Sequence, residues 1–409
     1  MTVAATMAVR PVKSVGLVSL GHGINHYLIM LLPPLFPVWV TEFSVNYAEL
    51  GALMAIGGVV AMVMQMPVGV LCDRIPARYV LVGGMLLLGL SVAGMGLATT
   101  FWQLAAMIVA NALGNTVFHP ANYSILSATV PPRWLGRAFS VHTFAGHVGF
   151  AVAPTVVGLS LVYWDWRAAM IVSGLVGVAM AAVYLLNGRD LKDERETGHV
   201  ELRADGRKPA LLSGLSLLVS GPMVMCFLFF FMISVAHIGF DSFLPAALYE
   251  HYGTSLSVSN FALSILFAAS AVGILIGGLV ADHTHRHGLV ASLCFGVAAV
   301  LIVAIVELDL GTVGIMVLVG AVGLTTGIVP PSRDLIVRRV TPAGQTGKVF
   351  AFMTVAMEAA YVAAPPVFGW ILDVFGAASM FWLAAGLFLV AIATVGGTSH
   401  VHGGARVER

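Results

Sequence analysis

The chain reads as long apolar runs broken by short polar turns. Twelve such runs fall at about residues 14–40, 47–71, 79–99, 102–128, 138–162, 167–187, 222–248, 256–281, 288–306, 312–337, 348–371 and 376–396. Each approaches the ~20 residues that a helix needs to cross a bilayer. One interruption differs in kind. From Asn187 to Pro209 the chain is charged with mixed signs and nearly free of large apolar residues, too poor in hydrophobic surface to fold as a domain. The pattern predicts an all-α polytopic membrane protein of twelve transmembrane helices, with an N-terminal six-helix bundle at 1–187, a cytoplasmic linker at 188–213 and a C-terminal six-helix bundle at 214–409. The segment Ala210–Ser220 reads equally as an interfacial helix or as an early start to the seventh span.

Charge placement tests this map. Only 10% of the residues are charged and 59% are hydrophobic, which excludes an ordinary soluble domain. Twelve crossings put both termini on one side, and 18 of the 20 Lys and Arg residues fall on that side. Arg167 falls on the other and Arg333 within a span. By the positive-inside rule the termini and the central loop are cytoplasmic, and the expected home is a bacterial inner membrane. The first apolar run is too long for a signal-peptide core and lacks a small-residue cleavage site, so it is read as the first span. Cys72 falls in a cytoplasmic turn and Cys226 and Cys294 in two different spans, which is neither a disulfide framework nor a metal cluster.

The chain also repeats itself. Pro131–Gly158 and Pro342–Gly369, 211 positions apart, agree at nine of 28 positions without a gap. Gly69-Val-Leu-Cys-Asp73 is echoed by Gly278-Leu-Val-Ala-Asp282. Two apolar copies of one unit are the mark of a repeat-built transporter.

Gly69, Asp73, Arg74 and Arg78 follow Gly-x-x-x-Asp-Arg/Lys-x-Gly-Arg-Arg/Lys, with Pro76 and Ala77 replacing the usual Gly and Arg; Gly278 and Asp282 keep the weaker copy. In this the chain resembles the major facilitator superfamily. The resemblance implies two pseudo-symmetric six-helix bundles and a conformational gate at Gly69, Asp73, Arg74, Arg78 and Asp282. The glycine would let helices approach closely, and the charges would make contacts that can break and re-form. The run Gly149-x-x-x-Ala153-Pro154-x-x-x-Gly158 looks like the family's fifth-helix antiporter motif. Ala110 stands where many drug–proton antiporters carry Arg, a departure from that pattern. Gly21-His22 and Phe118-His119-Pro120 are similar to the fosmidomycin-resistance branch, which implies antiport and efflux.

Ionisable groups inside a membrane are costly and mark function by default. Here they concentrate in the first, fourth, fifth, seventh, tenth and eleventh spans. Glu358, ten residues past Lys348 and so about 15 Å along its helix, lies near the midplane and is expected to exchange the coupling proton. His26 and His237 occupy equivalent places at the 211 offset, and Asp241 follows His237 by one turn, close enough to share a proton. His22, Asn25, His119, Asn122, His147, Arg333 and Tyr361 are the expected substrate contacts, and Asn111 and Asn115 are secondary polar positions. Arg333 follows Pro330-Pro331, a pair expected to break the tenth span, and it suits a carboxylate, phosphonate or phosphate if it does not snorkel to the interface. His147 is the repeat-mate of Glu358, and Asn122 that of Arg333.

No nucleotide-binding loop is present, so an ion gradient is the expected energy source. The expected activity is secondary, alternating-access, proton-coupled movement of a small organic molecule, an anion or a drug, by a monomer in the lipid bilayer. No cofactor, metal or nucleic-acid partner and no enzymatic activity are expected. An uptake permease for a small organic acid is the alternative. His22/His26 and His142/His147 also leave a membrane metal or haem oxidoreductase open on paper, a reading that gives the repeat no role.

Overall fold

The computed structural model describes residues 2–193, 220–341 and 346–400. Residues 194–213 of the expected linker and 210–219 of the ambiguous segment lie outside them. Twelve helical segments are long and apolar enough to cross a membrane, and each overlaps one predicted run. The chain divides into two compact units. The first is Met1–Ser44 with Ile56–Gly206, and the second is Val45–Ala55 with Arg207–Arg409.

The first unit contains α1 (Thr2–Ile29), α2 (Phe36–Phe43), most of α3 (Tyr47–Arg74), α4 (Ala77–Gly96), α5 (Phe101–Thr116), α6 (Phe118–Thr129), α7 (Pro132–Tyr163) and α8 (Trp166–Leu186). α1 packs on α7, and α4 on α8 and α5. A Cβ on Gly89 would stand 2.7 Å from the Gly174 carbonyl, so α4 and α8 touch backbone to backbone. Asp165 starts α8 by accepting the Ala168 N–H at 2.7 Å. Arg167, the one basic residue expected on its side of the membrane, is a staple. Its guanidinium donates to the Ala98 and Gly96 carbonyls past the end of α4 and pairs with Glu42 of α2 at 2.6 Å.

The second unit contains the first turns of α3, then α9 (Gly221–Tyr252), α10 (Leu256–His283), α11 (His287–Glu307), α12 (Gly311–Val340), α13 (Thr346–Phe375) and α14 (Ala377–His400). α9 packs on α13, and α11 on α14 and α12, repeating pairings of the first unit; α9 also packs on α14, and α10 on α12. The α10–α12 contact is lined by Gly273-x-x-x-Gly277 and Gly323-x-x-x-Gly327, whose missing side chains let the backbones meet. Asp373 of α13 caps α3 by accepting the N–H groups of Tyr47 and Ala48 at 3.0 and 2.7 Å.

The copies treat their prolines differently. In the first unit the chain breaks twice. α1 ends at Ile29 before a 3-10 turn at Pro33–Leu35, and α5 yields to α6 at Val117, just before His119-Pro120. In the second, α12 runs unbroken through Pro330-Pro331, as α9 does through Pro245. The expected break in the tenth span is therefore absent, and the discontinuity belongs to its repeat-mate in the first unit. A Cβ on Gly69 or Gly278 would meet nothing within 4 Å, so in this conformation the close helix contacts are made by the glycines named above.

Candidate functional site

In the first unit the broken helices gather histidines. His22 lies on the inner face of α1 and is 3% exposed. One turn on, His26 approaches to 4.1 Å between ring centroids, and His142 of α7, 2% exposed, stacks on His22 at 3.9 Å. His119, immediately after the α5–α6 break, is exposed and stands 5.7 Å from His22. Tyr123 of α6 links His119 and His142, at 5.9 and 6.3 Å, and Phe150 of α7 covers His26 at 4.2 Å. The histidines thus run from an exposed mouth to a buried floor. Gly146 makes room for them, since a Cβ there would lie 2.8 Å from His26 Nδ1 and 2.9 Å from His22 Nε2.

The polar groups of this floor are poorly satisfied. His22 Nδ1, both ring nitrogens of His142 and both amide atoms of Asn122 are buried and make no hydrogen bond within the protein. A buried polar group left in that condition costs about 1–3 kcal/mol. Five such atoms fall on His22, His142 and Asn122. Asn25 is settled instead, its Nδ2 donating to Asn115 Oδ1 at 2.8 Å. His147 is settled too, with Nδ1 3.0 Å from the Thr143 carbonyl of its own helix. Asn111, on α5, is buried.

The second unit holds its ionisable groups differently. Tyr361 lies within electrostatic reach of Glu358 and Asp241, and His237 within reach of Arg333. Arg333 stacks on Phe230 of α9 at 4.6 Å and pairs with its neighbour Asp334 at 3.0 Å. The expected His237–Asp241 pair does not form. The imidazole turns toward Phe388 of α14 and Phe295 of α11, with ring centroids 5.2 and 6.5 Å away. Helical spacing puts two residues on one face, but the aromatic slot decides where the ring goes.

Of the expected gate, Arg74 and Asp282 are exposed, and the side chain of Asp73 lies outside the described residues. Arg78 lies over the Tyr79 ring and donates weakly to the Gly188 carbonyl at 3.4 Å. An open groove of about 550 Å³ along α10 and α12 is lined by Phe261, Val313, Val317 and other side chains without a charge, and is not part of the polar site.

His142 is not among the contacts expected from the sequence. Its repeat-mate is Met353, and that of His22 is Ile233, so an available signal was an imidazole facing an apolar residue in the other copy.

Twelve membrane-length helices in two units of matched packing, with ionisable side chains in the span interiors, define a polytopic transporter of the repeat-built class. The chain belongs to the Major Facilitator Superfamily, whose profile matches residues 18–305 and 234–399. It is 25% identical over 261 residues to the probable L-galactonate transporter of Escherichia coli K12, covering 61% of this chain and 56% of that one. It is 24% identical over 288 residues to the fosmidomycin resistance protein of the same organism, 69% and 68% of the two chains. The crystal structure of the nucleoside transporter NupG shares the fold, with a TM-score of 0.78 at 15% identity over 94% of this chain and 99% of that one. Among the described residues no set of three or more His, Cys, Asp or Glu is arranged to hold a metal ion.

Proposed function

We propose that this chain is a proton-coupled secondary transporter of a small organic molecule, working as a monomer by alternating access in a bacterial inner membrane, with cytoplasmic termini. The supporting observation is the grouping of Glu358 and Asp241 with Tyr361 in the span interiors of the second unit, while the first unit carries histidines. Groups that exchange protons are placed in membrane helices at a cost, and a coupling role explains why it is borne. Glu358 is the residue assigned to proton exchange. Asp241 and the histidines His26 and His237 belong to the same proton-handling set, and Arg333, His22, His119, Asn122, Asn25, His147 and Tyr361 to the cargo contacts.

Two cargo readings follow from relatives. A fosmidomycin-resistance relative supports efflux by antiport, and a probable galactonate transporter supports uptake of an organic anion. The imidazole floor favours the anion. The test is an uptake screen of organic acids, phosphonates and drugs at two pH values in proteoliposomes, followed by Glu358→Gln. Proton-driven accumulation should fall while cargo exchange without a gradient persists. Accumulation unchanged in Glu358→Gln would remove the assignment.

A further inference from the structure

Resting on the transporter reading above, we propose that the imidazole cluster of the first unit binds a small organic carboxylate, and that the carboxylate enters it together with a proton. Geometry supplies the first reason. His22 and His142 form a floor 3% and 2% exposed, His26 adjoins it, and exposed His119 and Tyr123 stand at its mouth. His22 Nδ1, both ring nitrogens of His142 and the whole amide of fully buried Asn122 make no hydrogen bond in the protein. A carboxylate only accepts hydrogen bonds, whereas imidazole N–H, amide NH₂ and phenol can all donate. The side chains that line the path match that demand.

The sign of charge supplies the second. The titratable groups around the cluster are His22, His26 and Tyr27 on α1, His119 and Tyr123 on α6, His142 and His147 on α7, and Tyr184 on α8. Tyr27 is engaged with Ser173 Oγ at 2.6 Å, and α5 contributes only the amides of Asn111 and Asn115. The Lys and Arg residues on these helices and on α4 are Arg10 and Lys13 on α1, Arg78 on α4, Arg133 and Arg137 on α7 and Arg167 on α8. None of these helices carries a carboxylate. A proton taken up here therefore creates a positive charge with no partner among them, beside imidazoles that would repel a second. An anion supplies the missing charge. Proton and anion then raise each other's affinity by the same factor, as linkage requires. Ligands that bind together leave together, so the two travel in one direction. Competition between a proton and a cationic cargo needs a carboxylate, and those are in the second unit, at Asp241 and Glu358.

The experiment uses the purified full chain in nanodiscs, with acetate, lactate, succinate and D-galactonate, each compared with its uncharged amide, at pH 5.5, 6.5 and 7.5. At least one carboxylate should bind, up to about tenfold more tightly for each pH unit lowered, and its amide should not. His22→Gln and His142→Gln keep a hydrogen-bonding side chain but no titration; binding at pH 5.5 should weaken at least about tenfold and lose its pH slope. If either variant fails to fold, the wild-type slope decides. Binding by none of the four, a flat or reversed slope, amides bound as well as acids, or folded variants that keep the slope would each overturn the proposal. Carboxylate binding with the expected slope but no flux in proteoliposomes keeps the site and removes the transporter reading. Proton-driven flux with flat binding does the reverse.

Discussion

The two units share a helix plan and differ in chemistry. The first breaks α1 before Pro33-Pro34 and separates α5 from α6 at Val117, and beside those breaks it collects His22, His26, His119 and His142. The second carries Pro245 and Pro330-Pro331 through unbroken helices and holds Glu358, Asp241 and Arg333. Proline alone therefore does not break these helices; a break forms where other groups take over the freed backbone and use the irregular chain. Duplication kept the prolines at Pro34/Pro245, Pro120/Pro331 and Pro154/Pro365 and the glycine at Gly158/Gly369, while the close-packing glycines and the polar side chains in the span interiors diverged. One copy became cationic on protonation, and the other kept the acids.

The largest effect expected of any change in the second unit is that of Glu358→Gln, at least about tenfold in proton-driven accumulation with exchange intact, measured as counterflow against gradient-driven uptake in the same vesicles. Next is His142→Met, which installs the residue of the second copy, Met353. It removes two buried nitrogens that make no hydrogen bond, so thermal stability should rise by about 1–3 kcal/mol while pH-dependent carboxylate binding is lost. The reverse change, Met353→His, buries a polar ring in an apolar site 1% exposed and should cost about 1–3 kcal/mol with no new pH dependence. If Met353→His gained pH dependence, the units would differ in detail and not in kind.

Gly146→Ala sharpens the same contrast. The new methyl would crowd His22 and His26, so the chain should fold while carboxylate affinity falls several-fold; full affinity would show that the rings have room to move. Arg167→Ala is a structural control. Losing the carbonyl contacts and the Glu42 pair should lower stability by about 1–3 kcal/mol in thermal unfolding, with the pH slope of binding unchanged. The smallest effect is a null. His237 and Asp241 are unpaired, so a double-mutant cycle on proton-driven uptake should give a coupling below about 0.5 kcal/mol. A larger value would restore the one-turn pair.

The twelve spans were legible because an apolar run of membrane length has few other uses, and charge placement along the turns checked the count. The 211-residue repeat also pairs His147 with Glu358 and Asn122 with Arg333. Side-chain direction was not legible. His237 and Asp241 share a helix face, yet the Phe295–Phe388 slot turns the imidazole away. His142 was missed because its partners come from α1 and α6, and no local spacing marks a contact across three helices. Pro330-Pro331 misled because proline removes one hydrogen bond without dictating how the helix responds.

The most direct test of the contrast is the direction of proton movement. Proteoliposomes of the full chain, loaded with a pH-sensitive dye, receive an inward gradient of whichever carboxylate binds most tightly at pH 5.5. Acidification of the lumen, abolished in His22→Gln, is the expected result. Alkalinisation, or carboxylate entry with no proton movement, would contradict a cationic first unit that carries its anion and proton together.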